Sequence, residues 1–128
     1  MTPFIQLTRE PIALDKCLQA PGSNDGAQVF FSGHVRDLED NKKIQALAYE
    51  AYEPMAEKEL KRLVKEIQLQ HPVSQVRIIH RLGIIPVSEA AIAIRVSAPH
   101  RREALAFVET FMDRLKQDVP IWKTGSQP

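Results

Sequence analysis

The side chains of this sequence best suited to chemistry are cations gathered at two ends of one stretch. In Ser97 to Lys123, SAPHRREALAFVETFMDRLKQDVPIWK, His100, Arg101 and Arg102 stand together near the start, and Lys116 and Lys123 stand towards the finish. Guanidinium forks beside an imidazole are equipped to hold a phosphate or a carboxylate. A lysine crowded by other cations gives up its proton more readily, and the neutral amine is a nucleophile or base; the protonated amine stabilises an oxyanion. A further arginine, Arg36, follows Gly33 and His34 at the end of an apolar run, where a scaffold commonly presents polar groups. Each residue also has a plain structural explanation. The arginines could simply lie in water, and Lys116 could favour the negative end of a helix dipole while reaching back to Asp113.

The element that must position these groups is a helix. Leu105, Val108, Met112 and Leu115 recur at i, i+3, i+7 and i+10, and Ala104, Phe107 and Phe111 widen the stripe, so one face is apolar over three turns and is expected to be buried. Pro99 suits the first helical turn, and Pro120 forbids continuation much beyond Gln117. Cations at a helix start oppose the dipole by roughly 0.3 to 1 kcal/mol each, whereas an anion there is held by free N–H groups and guanidinium forks together. Beyond the helix, Val119 to Trp122 reads as a rigid apolar segment that fixes the backbone beside Lys123.

The remaining chain reads as scaffold. Phe4 to Leu7 predicts a short strand, Pro11 to Ala20 a brief helical turn with Cys17 as a small core residue, and PGSNDG at 21 to 26 a turn. Val29 to Phe31 predicts a buried strand and Ile44 to Tyr52 another, the two able to pair as a long hairpin across an exposed polar loop, Asp37 to Lys43. Pro54 opens a second helix, with Ala56, Leu60, Leu63, Val64 and Ile67 on one side and charges on the other; His71 and Pro72 close it. Val76 to Leu82 predicts a strand, Gly83 to Ser88 a connection, and Ala91 to Ser97 a strand with Ile92, Ile94 and Val96 inward. His80, inside an apolar strand, is expected to be a hydrogen-bonded structural group or a pocket residue. The interleaved elements define an α+β domain over residues 1–128 with a mainly antiparallel sheet.

Composition narrows the function. With 128 residues and 44% apolar content, one core is expected, small enough that a deep pocket needs help from a second subunit. A net charge of +1 without a basic run argues against a general nucleic-acid or anionic-membrane binder. A single cysteine excludes an intramolecular disulfide framework and a multi-cysteine zinc site. No apolar run is long enough for a membrane span and the opening lacks a signal-peptide pattern, so the expected location is cytoplasmic. Walker, GxGxxG, HExxH and GxSxG elements and internal repeats are absent.

The segments FFSGHVRD, LAYEAYEPMAEKEL, IIHRLG, SAPHRREALAF and MDRLKQDVPIWK, in this order and spacing from about Val29 to Lys123, resemble the large catalytic subunit of molybdopterin synthase. The resemblance implies the α/β-hammerhead fold of that family. It implies sulfur transfer from the C-terminal thiocarboxylate of a small ubiquitin-like subunit to cyclic pyranopterin monophosphate, making the dithiolene of molybdopterin. It further implies a homodimer of large subunits within a heterotetramer, a pocket drawing residues from both large subunits, and no metal or other cofactor. Carried over residue by residue, Lys116 and Lys123 match the essential lysines, His100 and Arg101 the pterin and phosphate pocket, and Arg36 the arginine of the GxVR segment. The chain departs from the family in having no glycine in Asp37 to Lys43 and in carrying Gly125 where an acidic residue is common. Two other readings remain open: a non-catalytic module binding a ubiquitin-like tail, and an anion-binding enzyme acting on a phosphate ester.

Overall fold

The computed structural model describes residues 1–128. Its centre is a nine-residue strand, Ala90–Ala98, in which every residue is buried. The sequence predicts burial of Ile92, Ile94 and Val96 alone, but the strand is covered on both sides. Two helices cover one face, and the segment carrying the 3-10 turn Leu14–Cys17 covers the other, where Cys17 packs on Ile79 and Ala93.

In chain order the strands are β1 (Phe4–Thr8), β2 (Ala27–His34), β3 (Leu38–Glu39), β4 (Lys42–Lys43), β5 (Ala46–Ala51), β6 (Gln75–Arg81), β7 (Gly83–Pro86), β8 (Ala90–Ala98) and β9 (Ile121–Gln127); the helices are α1 (Glu53–Gln70) and α2 (Arg101–Asp118). A four-stranded sheet runs β1-β6-β8-β2, a three-stranded sheet runs β7-β5-β9, and β3 and β4 form a small hairpin. All pairings are antiparallel except β1 with β6. This is the expected α+β class, with one parallel pair added.

Both helices arise from their apolar stripes. In α1, Ala56, Leu60, Leu63, Val64 and Ile67 are buried, while Glu57 pairs with Lys61, and Arg62 with Glu59 and Glu66, in water. In α2, Ala104, Phe107, Val108, Phe111 and Leu115 are buried against α1 and the sheet. Together they form the main core with Ile78, Ile92, Ile94 and Val96, and burying each such side chain contributes roughly 1.5 to 3 kcal/mol before entropy is counted.

Several local expectations are corrected. The strands β2 and β5 do not form a hairpin: β2 pairs with β8, and β5 sits between β7 and β9 in the other sheet. The stretch Gly83 to Ser88 is more than a connection, since β7 occupies its first half, with Gly83 at φ +86° making the corner after β6. The polar loop 37–43 is the β3–β4 hairpin, turned by Asp40 and Asn41 at φ 51° and 63°; both left-handed, these define a two-residue turn of type I′. Asn and Asp tolerate that region, which explains how the turn is made without glycine. Pro99 lies one residue before the α2 N-cap, His100, and not in the first turn. Leu105 is 55% exposed, because the buried stripe is centred on Phe107 and Phe111, one step round the helix. Finally, the chain after Pro120 is β9, added to the edge of β5.

Candidate functional site

The two lysines lie where the C-terminal end of α2 meets the junction of the two sheets. Lys116 occupies the last turn of α2, a position the helix dipole favours for a cation. It forms no ion pair, with Asp113 or with any other residue. It lines a cavity of about 200 Å³ with Tyr49 of β5, His80 of β6, Met112 of α2 and Gly33 and His34 of β2. Gly33 is tightly fitted there: a Cβ would stand 3.0 Å from Ile92 Cγ2, so a side chain would press on the cavity wall.

Lys123 approaches Tyr49 from β9. Its backbone is opposite Tyr49, next to a bulge in β9 where Thr124 is the extra residue facing Ala48 and Tyr49. Its ammonium donates to Glu39 Oε2 at 3.1 Å, across to the β3–β4 hairpin, and lines an adjoining polar cavity of about 250 Å³ with Glu39, Asp40 and Gly125. Gly125 has nothing within 4 Å of a Cβ position, so that wall is open. Tyr49 lines the first cavity and faces Lys123 across the β5–β9 pairing. Its ring meets His80 edge-on at 5.6 Å between centroids, and its phenol is held above its ordinary pKa chiefly by burial, with the Lys123 ammonium opposing and Glu39 reinforcing.

The two histidines of the cavity differ. His80 is 5% exposed and its Nδ1 donates to the Arg81 carbonyl at 2.9 Å, which makes Nε2 the acceptor of a neutral ring. Burial pushes its pKa down, with that hydrogen bond opposing. His34 is exposed and is held between the Ser88 carbonyl and the Ser32 hydroxyl, each at 2.8 Å; Nδ1 donates to the carbonyl and Nε2 accepts from the hydroxyl when the ring is neutral.

The sequence-derived phosphate group lies elsewhere on the chain. His100 is the N-cap of α2, makes no capping hydrogen bond through its side chain, and lines a cavity of about 320 Å³ with Ser74, Pro99 and Glu103. Arg101 and Arg102 are exposed in the first turn. Fifteen residues of helix separate Arg101 from Lys116, a rise of roughly 22 Å at about 1.5 Å per residue. One copy of the chain therefore sets Lys116 and Lys123 in separate cavities, the first lined by Tyr49 and the second reached from the strand beside it, but holds His100 and Arg101 at the far end of α2. Arg36 is exposed just beyond β2, on the side of the His34 rim. Sequence reasoning missed Tyr49 and Glu39 as neighbours of Lys123. Tyr49 lay within the LAYEAY segment, but only the β5–β9 register gives it a partner.

Comparison with known proteins follows the same geometry. The family model described as "MoaE protein" matches residues 7–118. The chain is 47% identical over 100 residues to the molybdopterin synthase catalytic subunit of Staphylococcus carnosus, covering 78% of this chain and 67% of that protein. It is 42% identical over 120 residues to that of Homo sapiens, covering 93% of this chain and 64% of that protein. It thus spans about two thirds of the length of these curated relatives. Among solved structures, molybdopterin synthase from Staphylococcus aureus superposes with a TM-score of 0.85 at 38% identity, covering 94% of this chain and 93% of that one. The MoaE protein from Burkholderia ambifaria superposes at 0.83 with 31% identity, covering 98% and 84%. The fold and the lysine-lined cavity are those of a two-layer α+β protein with a cationic site at a helix end. The chain belongs to the MoaE protein family.

Proposed function

We propose that this chain is a molybdopterin synthase catalytic subunit, a sulfurtransferase that receives sulfur from the thiocarboxylate terminus of a small ubiquitin-like partner and delivers it to cyclic pyranopterin monophosphate. The observation that carries the reading is the placement of Lys116, without an ion pair, in the cavity that Tyr49 lines, with Lys123 opposite Tyr49 on β9 and lining a second cavity, in a chain of this family. An extended tail reaching the region around Tyr49, with Lys116 on one side and Lys123 on the other, brings its anionic terminus to two ammonium groups. These stabilise the thiocarboxylate on arrival and the oxyanion that develops as sulfur attacks the substrate carbon. At each pterin side-chain carbon that gains sulfur, a carbon–sulfur bond forms and a carbon–oxygen bond breaks, the oxygen leaving with the opening cyclic phosphate or as water; hydrolysis then breaks the sulfur–acyl bond, and the donor tail is released as a carboxylate that holds the oxygen of that water. No other cofactor enters the proposal.

Arg36, His100 and Arg101 would hold the phosphate. Because about 22 Å of helix separates Arg101 from Lys116, the reading places His100 and Arg101 of one protomer against the lysine cavity of a second. The working unit is then a homodimer of this chain carrying a small subunit on each protomer, a heterotetramer. The exposure of these three cations and the absence of ion pairs on them support that arrangement.

The test is reconstitution with thiocarboxylated small subunit and cyclic pyranopterin monophosphate. Dithiolene formation is expected with the unmodified chain and is expected to fall at least a hundredfold in Lys116→Ala, Lys123→Ala. Undiminished turnover in the double variant would sink the mechanism, and tight partner binding without product from the unmodified chain would leave a binding module.

A further inference from the structure

The face of the four-stranded sheet turned away from the helices carries a row of side chains that sulfur transfer does not use. Read across β1, β6, β8 and β2, the register aligns Phe4, Arg77, Arg95 and Phe30. Two arginines thus occupy directly opposed positions, where like charges destabilise a sheet.

Their surroundings do not neutralise them. Arg95 is 7% exposed; its Nη1 donates to the Cys17 carbonyl at 2.6 Å and its Nη2 to Gln19 Oε1 at 3.3 Å, both neutral acceptors. Arg77 is half-buried, with its guanidinium 4.0 Å from the centroid of the Phe4 ring. The Nε of each is buried without a partner, as is that of Arg81, but neither Arg77 nor Arg95 belongs to any ion pair. Arg81, the other buried arginine, shows the contrast: Glu89 meets it at 2.6 Å. Burial, and then the charge of Arg77, lower the pKa of Arg95, with only Cys17 opposing. A buried cation without a counter-charge is costly, and Arg95 has a second, half-buried cation beside it instead, so an anion at this position would be favoured.

Space for one exists. Arg77 and Arg95 line an open cavity of about 320 Å³ together with Thr2, Gln19, Ser74 and Gln75, and no acidic residue lines it. Asp25 approaches only through Ser74, whose hydroxyl donates to it at 2.6 Å. We propose that Arg77 and Arg95 form a second anion site, separate from the lysine cavity, that takes a divalent oxyanion of the phosphate class. Two guanidinium groups without a carboxylate match a charge of −2, and Arg77 offers the accessible fork while Arg95 supplies fixed positive charge behind it.

The experiment is thermal unfolding of the whole chain in sodium phosphate against sodium chloride of equal ionic strength, at pH 7.5. Because Arg36, His100 and Arg101 are themselves proposed phosphate ligands, an Arg36→Ala, His100→Ala, Arg101→Ala variant serves as the background. There, phosphate at ten times its Kd is expected to raise the midpoint by on the order of 5 °C, and adding Arg77→Gln is expected to abolish the rise. A response that survives Arg77→Gln, that chloride reproduces, or that the background already lacks overturns the proposal. Arg77→Lys keeps the charge and loses the fork, so direct titration should show phosphate binding at least tenfold weaker; unchanged affinity also overturns it. These outcomes are independent of whether the chain transfers sulfur.

Discussion

The ion pair between Lys123 and Glu39 offers a quantitative test of how the site handles charge. If Lys123 receives an anionic tail, Glu39 competes with that tail for the same ammonium from 3.1 Å away. Glu39→Gln removes the competitor and keeps the shape. The two side chains are 46% and 28% exposed, so the pair lies nearer the water limit of Coulomb's law, about 1 kcal/mol at 4 Å, than the figure of about 4 kcal/mol for a partly dry site. The variant should therefore bind a peptide ending in a thiocarboxylate roughly five times more tightly. The same exposure limits the stability cost to about 0.2 to 1 kcal/mol, a fall of at most about 5 °C in midpoint. Fluorescence anisotropy with a labelled peptide measures the affinity. The gain should be largest near 0.01 M salt, where the screening length is about 30 Å, and vanish near 1 M, where it is about 3 Å. Affinity unchanged or weakened at low salt would refute the competition, and with it the placing of the anion at Lys123.

Three further outcomes are expected. His80 is held neutral by burial, so its folded pKa lies below the unfolded value of about 6.5; its contribution to stability is full above that pH and is lost as pH falls, because the unfolded chain then takes up the proton first. The unfolding midpoint of the unmodified chain should thus drop more steeply between pH 7 and pH 5 than that of His80→Gln, and parallel curves would contradict the assignment. Gly26 donates its N–H to the Pro99 carbonyl, and a Cβ there would stand 2.6 Å from that oxygen, so Gly26→Ala should cost about 1 to 3 kcal/mol in urea unfolding; an unchanged midpoint would show that the contact yields freely. Phe111, fully buried between α2 and the sheet, should cost about 3 to 5 kcal/mol as Phe111→Ala, read as a midpoint fall on the order of 15 °C; a fall under 5 °C would mean that the core refills the space.

Both helices were legible because their signal is local. An apolar stripe at helical spacing, with proline at each border, depends on nothing outside the segment, and α1 and α2 lie where that spacing puts them. Strand pairing was not legible. The sequence shows β2 and β5 as apolar runs joined by a polar stretch, which suits a hairpin, yet each finds its partners in distant strands, β8 for one and β7 and β9 for the other. Alternation says that a strand has a face, and says nothing of which strand lies beside it.

The same division holds for the site. Residue type marked Lys116, Lys123, His100, Arg101, Arg102 and Arg36 as candidates, and the resemblance of their segments to a known family narrowed them to Lys116, Lys123, His100, Arg101 and Arg36, because chemistry depends on which groups are present. Distance belongs to the tertiary structure. The β5–β9 register, with Thr124 bulged from β9, brings Lys123 opposite Tyr49, and its ammonium meets Glu39. The rigid rise of α2 keeps His100 and Arg101 far from the lysines of their own chain. The sequence by itself determined which cations this protein carries and that His100, Arg101 and Lys116 belong to one helical segment; only the folded chain decided which of them come near Tyr49, since that depends on hydrogen-bond registers between strands distant in the chain.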